Sequence, residues 1–166
     1  DVLIADKPTG AVRVSLGVPG GGFAPPRTWS VQNRITGLAV GHLFSPVRLD
    51  ALVLDPDQGR LVALHLSGAS AGQTEAYDTT GIGPSRATFA RFGAAAPAGL
   101  EDVVAATVLD AAPSTDRVEA LRNTGATLKP IVQHVLSPAG QGILQAFPLW
   151  TSRGAANTLV GWVVGK

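Results

Sequence analysis

The stretch of the chain with the clearest potential for chemistry is Gly-Ala-Ser-Ala-Gly at positions 68–72, which fits the pattern G-x-S-x-G. In that pattern the glycines allow a sharp turn after a strand, and the turn exposes the serine as a nucleophile. The serine also needs a histidine as base and an acid that orients the histidine. Downstream of Ser70 the chain supplies Asp110 and then His134, in the order that this motif requires.

The residues that follow the motif argue against catalysis. A nucleophile elbow leads directly into a packed helix, but Gly81, Gly83 and Pro84 would stop a helix soon after Ser70. No His-Gly segment for an oxyanion hole precedes it. A serine hydrolase that uses Ser70 with His134 and Asp110 is therefore the alternative function, and the sequence favours a protein without catalysis.

Other site chemistries find little support in the residue pattern. The three histidines are far apart and show no metal-binding spacing, and the absence of cysteine removes thiolate ligands and thiol catalysis. Gly20, Gly21 and Gly22 are not followed by the lysine of a phosphate-binding loop. Pro25 and Pro26 do not suit the helix that opens a dinucleotide site. The sequence predicts no metal and no cofactor.

The same glycines and prolines belong to a Gly/Pro-rich loop or arm near residues 17–28, with Phe23 as its aromatic residue. Flexible glycines precede Phe23, and the stiff pair Pro25 and Pro26 follows it, which limits the entropy lost when the arm is ordered. We expect these three residues to form an assembly contact. In the alternative interpretation, Phe23 folds back on the core of its own subunit.

The charge content points to a surface covered by partners. Charged residues make up 15% of the 166 residues, against about 25% in a typical soluble domain. Permanent interfaces are more apolar than transient ones, so we expect a homo-oligomer or a larger protein shell. Coding by a GC-rich genome is the alternative explanation for this composition.

Two kinds of partner are not expected. The net charge is +1 and the basic residues are scattered, so direct nucleic-acid contact, which needs grouped phosphate contacts, is not predicted. No apolar run reaches the roughly 18 residues of a spanning helix, so membrane insertion is not predicted either.

The periodicity predicts a mainly β protein. Residues 11–16 alternate apolar and polar side chains, and strands are also predicted within 29–40 and at 47–54, 61–66, 131–136, 143–147 and 159–164. Asp-Pro-Asp-Gln-Gly-Arg at 55–60 predicts a hairpin turn. Asp116 and Glu119 resemble a capping box and predict a short helix at 117–123, while residues 100–112 fit either a strand or a helix.

These elements predict an antiparallel β-sandwich, jelly roll or small barrel with one or two short helices. We expect a single β-rich domain over residues 1–166. The predicted function is that of a structural assembly subunit, a virion decoration, protruding or coat protein. A second alternative is a β-sandwich module that binds sugar or peptide, with Trp29, Trp150 and Trp162 as stacking surfaces.

Overall fold

The structure is a computed structural model, and it describes residues 1–31, 34–79, 83–91, 97–108, 116–136, 142–150 and 156–164. Throughout these ranges the chain forms strands and turns and no helix. The strands are β1 (Val2–Asp6), β2 (Ala11–Ser15), β3 (Arg27–Ser30), β4 (Gly37–Gly41), β5 (Asp50–Asp55), β6 (Arg60–His65), β7 (Thr74–Asp78), β8 (Gly83–Ala90), β9 (Asp102–Val108), β10 (Asp116–Asn123), β11 (Leu128–Leu136), β12 (Gly142–Trp150) and β13 (Ala156–Val164).

The strands pair in chain order into antiparallel meanders. The N-terminal sheet has the order β1-β2-β3, the central sheet β4-β5-β6-β7 and the outer sheet β11-β10-β9-β8. The C-terminal hairpin pairs β12 with β13, and β12 approaches β8. Short connections between neighbouring strands explain this arrangement, since antiparallel pairs can be joined by tight turns.

The central sheet is covered on both faces, which makes the fold a stack of three sheets. Ala51, Val53, Val62 and Leu64 pack against the N-terminal sheet. Leu52, Leu54, Leu61 and Ala63 pack against the outer sheet. Because successive side chains of a strand point to opposite faces, a strand buried on both sides has to be apolar throughout. The runs Ala-Leu-Val-Leu in β5 and Leu-Val-Ala-Leu in β6 meet this requirement.

The prediction of an antiparallel, mainly β fold is confirmed. The alternating stretch at 11–16 is β2, and the predicted strands at 61–66, 131–136, 143–147 and 159–164 correspond to β6, β11, β12 and β13. The ambiguous segment 100–112 contains β9. The stretch at 29–40 takes part in two strands, β3 and β4, and the strand predicted at 47–54 begins only at Asp50.

The hairpin predicted at 55–60 is also confirmed. Asp55 pairs with Arg60, and its Oδ1 accepts hydrogen bonds from the backbone N–H groups of Asp57 and Gln58 at 3.1 and 3.2 Å. Gly59 has φ +64°, a left-handed conformation that a glycine adopts at little cost. The turn residues thus have the roles that their types predict.

The helix predicted at 117–123 is wrong, because this segment is strand β10. Hydrogen bonding to β9 on one side and β11 on the other satisfies its backbone. Glu119, Leu121 and Asn123 are all buried at alternate positions, which is the period of a strand. Gly125 has φ +82°, and its N–H donates to Asn123 Oδ1 in the turn to β11, so it serves a β-turn and not a helix end.

Candidate interaction surface

A groove of about 490 Å³ lies between the N-terminal and central sheets, at one end of the core that they share. Its first wall is the end of the N-terminal sheet. Leu3, Val14 and Arg27 are directly paired across β1, β2 and β3, so their side chains share one face. The preceding row on that face, Ala5, Val12 and Trp29, belongs to the core. The groove therefore continues the core towards solvent.

The second wall comes from the central sheet and the loop before β5. Val40 belongs to the paired row that runs through Ala51 and Leu64 to Thr74, and it is the end of that row that lines the groove, at 41% exposure. The loop 42–49, called here the lip, adds Val47 at 82% exposure and Leu49. Exposed apolar side chains that cluster in a concave surface mark an interaction site more often than scattered ones do.

Two arginines form the polar rim of the groove. Arg27 ends the row of Leu3 and Val14, and Arg48 lies between Val47 and Leu49 of the lip. Neither guanidinium forms an ion pair or a hydrogen bond with any residue that the structure describes. Asp1 also lines the groove, and its Oδ1 accepts a hydrogen bond of 2.8 Å from Gly17 N.

A network of buried polar groups holds the lip in place. Asp50 is 3% exposed, and its Oδ2 accepts hydrogen bonds from Leu43 N at 3.1 Å and Phe44 N at 3.0 Å. The Nδ1 atom of His42 lies 2.9 Å from the carbonyl oxygen of Arg48. The Glu101 carboxylate accepts a hydrogen bond from His42 N, and the backbone N–H of Glu101 donates one to His42 O. The lip is thereby fixed to both the central and the outer sheet.

His65 lies beside this network, between two carboxylates. Its Nδ1 is 3.5 Å from Asp50 Oδ1 and its Nε2 is 3.8 Å from Glu75 Oε1, while its ring is 4.1 Å from that of Phe44 between centroids. Glu75 also accepts a hydrogen bond from Tyr77 Oη. Burial raises the pKa of Asp50 above its ordinary value, against the opposing effect of the two backbone donors and the nearby histidines. Burial likewise raises the pKa of the Tyr77 hydroxyl.

This arrangement suits a structural clamp across β5, β6 and β7. An imidazole between two carboxylates attracts both of them when it carries a proton. Use of Ser or Thr as a nucleophile would need its hydroxyl within reach of the same ring. Among the described residues, no serine or threonine hydroxyl is hydrogen-bonded to His65. In those same ranges, no three His, Asp or Glu side chains are grouped in a way that could hold a metal ion.

Ser70 lies in the loop that joins β6 to β7. Gly72 N donates to His65 O at 2.9 Å, and Gln73 N donates to Ser70 O at 2.9 Å, which closes a compact turn between antiparallel strands. In residues 71–79 and 83–91, which the structure describes, no helix follows the serine, so the strand–turn–helix context of a nucleophile elbow is not formed there. Asp110 lies outside the described residues. His134 is in β11, opposite Val118, but its side chain lies outside the described part, so the triad remains untested.

The glycines of this loop have another explanation. Gly68 and Gly72 have φ +81° and +90°, values that L residues with a side chain rarely adopt. A Cβ at Gly68 would collide with the guanidinium of Arg48, and one at Gly72 would lie 2.7 Å from Trp29 Nε1. The loop therefore supports Arg48 at the rim of the groove and packs against the N-terminal sheet.

The Gly/Pro-rich segment forms the tip of the β2–β3 hairpin. A bridge pairs Gly17 with Phe23, and Ala24 N donates to Leu16 O at 2.8 Å. Phe23 is 59% exposed, and Leu16 and Val18 beside it are exposed as well. Pro25 and Pro26 are exposed residues that lead into β3. Phe23 therefore does not fold back on the core, and the tip presents three apolar side chains to solvent.

Sequence reasoning missed Arg27, Arg48 and the lip as site residues. A signal was present, because Val47 and Leu49 continue the apolar face of Ala51 and Val53 in the predicted strand. Val47 and Leu49 lie in the loop before β5, and there they form part of the groove wall.

No family model, curated protein or solved structure matches this chain. Within the described ranges, no helix has the length and apolar character to cross a membrane.

Proposed function

We propose that this chain is a structural assembly subunit that works through subunit contacts and without catalysis. The observation that carries the proposal is the apolar hairpin tip, where Leu16, Val18 and Phe23 are 49%, 41% and 59% exposed. Leu16 also lines the groove, so the tip and the groove adjoin. Apolar clusters of this kind on a folded domain are typical of surfaces that a partner covers.

The composition supports the same proposal. With charged residues at only 15%, the surface has little of the charge that keeps a domain monomeric in solution. Phe23 is suited to anchor an interface, because aromatic side chains bury a large apolar area for few rotatable bonds.

The setting that we propose is a virion, in which the chain is a decoration, protruding or coat protein. A closed shell covers apolar surfaces permanently, which suits a β-rich domain with an exposed apolar tip. The net charge of +1 and the scattered basic residues favour an outer position over contact with the genome.

The oligomeric state tests the proposal. We expect multi-angle light scattering of the wild-type protein to show a mass above that of one chain, and Phe23→Ala to lower this mass because the anchor is lost. Ile131→Ala is the matched control, since Ile131 is an apolar residue of β11 that is 39% exposed, and it should leave the mass unchanged.

Two results would contradict the proposal. If the wild-type protein stays monomeric at high concentration, it does not self-associate as the proposal requires. Covalent labelling by a fluorophosphonate that Ser70→Ala abolishes would instead support the hydrolase alternative, since that reagent reacts with activated serines.

A further inference from the structure

The arginines of the groove differ from other arginines of the protein in their partners. Arg13, Arg34 and Arg60 each form an ion pair with an aspartate, at 3.6, 2.6 and 3.1 Å. Arg27 and Arg48 line an apolar groove and have no carboxylate partner among the described residues. Two exposed guanidinium groups without an ion-pair partner among the described residues therefore stand beside an apolar surface, and Asp1, which also lines the groove, pairs with neither of them.

The fold holds at least one of these groups in position. The guanidinium of Arg48 lies against Gly68, where a side chain would displace it, and the backbone carbonyl of Arg48 is bound by His42. Arg27 ends a paired row across three strands. Guanidinium groups bind carboxylates through paired, charge-assisted hydrogen bonds, so both residues are suited to read acidic groups.

We propose that the groove binds an extended apolar segment of a partner protein that carries acidic side chains. The apolar residues of the segment would pack on Leu3, Val14, Val40, Val47 and Leu49, and its carboxylates would pair with Arg27 and Arg48. The groove, at about 490 Å³, is within the range of about 300–1,000 Å³ that is typical of ligand clefts. This inference rests on the proposed function, because it names the partner that an assembly subunit would recruit at this surface.

The charges favour such a segment over the hairpin tip of a second copy. Residues 16–24 read Leu-Gly-Val-Pro-Gly-Gly-Gly-Phe-Ala and include no acidic residue. A tip inserted into the groove would cover its apolar walls but leave both guanidinium groups unpaired and partly desolvated, which carries an energetic cost. An apolar segment with acidic side chains would cover the apolar walls and also form ion pairs with both guanidinium groups.

Peptide binding tests this inference. The probe is a dye-labelled, end-capped hexapeptide of alternating leucine and glutamate, compared with the same peptide in which glutamine replaces glutamate. By fluorescence anisotropy we expect the glutamate peptide to bind the wild-type protein about tenfold more tightly. The combined variant Arg27→Gln, Arg48→Gln should lose this preference while keeping the fold by circular dichroism.

Arg13→Gln is the matched control. Arg13 lies in β2 next to Val14, but its side chain is 52% exposed on the opposite face of the sheet, so the variant should keep the tenfold preference. A second variant, Val47→Ser, should weaken the binding of both peptides because it removes an apolar contact common to them.

Equal affinity for the two peptides, absence of binding, or a preference that survives in the double arginine variant would each overturn the inference. Its failure is separable from that of the proposed function. The groove variants should keep the wild-type mass in light scattering, and Phe23→Ala should keep the peptide preference, because Phe23 does not line the groove.

Discussion

At the scale of single residues, Asp50 connects the core to the candidate surface. It is the first residue of β5, is almost fully buried, and holds the lip through the backbone N–H groups of Leu43 and Phe44. Replacing a buried acceptor typically costs about 1–3 kcal/mol when its donors lose their partner. Asp50 therefore fixes the first part of the lip, while the contact of His42 with the carbonyl oxygen of Arg48 holds the part that carries Val47 and Leu49.

The raised pKa of Asp50 predicts a specific pH dependence of stability. A carboxyl whose pKa is raised on folding stabilises the native state fully below its unfolded pKa of about 4, and this contribution is lost as the pH rises through the folded value. Charge on His65 and His42 opposes the shift of the Asp50 pKa. Glu75 lies on the other side of the His65 ring, and Tyr77 donates a hydrogen bond to Glu75. We therefore expect the unfolding free energy of the wild type, relative to Asp50→Asn, to fall as the pH rises from about 4.

Urea denaturation between about pH 3.5 and 7 measures this difference. Asp78→Asn is the control, because the Asp78 side chain is 85% exposed and the variant should follow the wild-type curve. Parallel curves for the wild type and Asp50→Asn would show that burial of Asp50 does not influence its titration.

At the scale of elements, β4 shows how two sheets approach each other closely. A Cβ added at Gly41 would collide with the ring of Phe89 in β8, whereas one at Gly37 would meet the side chain of Leu54, with its methyl groups at 3.2 and 3.3 Å. The partly buried Phe89 ring packs against the core between the central and outer sheets, so it would have to shift to admit a Cβ at Gly41. The absence of a side chain at Gly41 thus sets the spacing of these sheets at this point.

We expect Gly41→Ala to lower the unfolding free energy by about 1–3 kcal/mol, the usual cost of overpacking a core. Gly37→Ala is the matched control in the same strand and should cost less, because a leucine side chain can adjust by a few tenths of an ångström. Thermal and urea unfolding of the two variants measure the difference. Equal losses would mean that Phe89 does not limit the approach of the sheets.

The elements that the sequence predicted correctly are those whose signal is local. Alternation in β2 and the turn chemistry around Asp55 and Gly59 depend on residues next to each other in the chain. The prediction of a helix at 117–123 was wrong because Asp116 and Glu119 have the spacing of a capping box. The alternation typical of a strand is not visible in the sequence, since two of the buried positions hold polar residues, Glu119 and Asn123. Only pairing with β9 and β11, which is tertiary information, decides in favour of β10.

The groove could be predicted only in part. The apolar character of Val47 and Leu49 is visible in the sequence, but their conversion into a wall depends on where the two sheets separate. Arg27 looks like a routine polar residue until the pairing Leu3–Val14–Arg27 places it at the end of an apolar row. The Ser70 motif was conspicuous for its glycines, which the loop conformation and the contacts with Arg48 and Trp29 explain.

At the scale of the whole molecule, low charge and an exposed apolar tip predict stability that depends on assembly. Association favours the folded state by mass action, so the melting temperature of a self-associating protein rises with its concentration. We expect this rise for the wild type and a flat dependence for Phe23→Ala, measured by calorimetry over about a hundredfold range of concentration. A flat wild-type curve would indicate that the folded chain gains nothing from its neighbours.

The central sheet has a consequence for how the chain finds its pairing during folding. In a sheet with one wet face, a slip of one residue is penalised because apolar side chains turn outwards. The four central residues of β5 are apolar on both faces, so a slip would bring no such penalty. The strand is instead bounded by Asp50 and Asp55, two buried carboxylates that each bind particular backbone N–H groups. A shifted register would break both sets of bonds, so these two acids act as the end marks that define where β5 starts and stops.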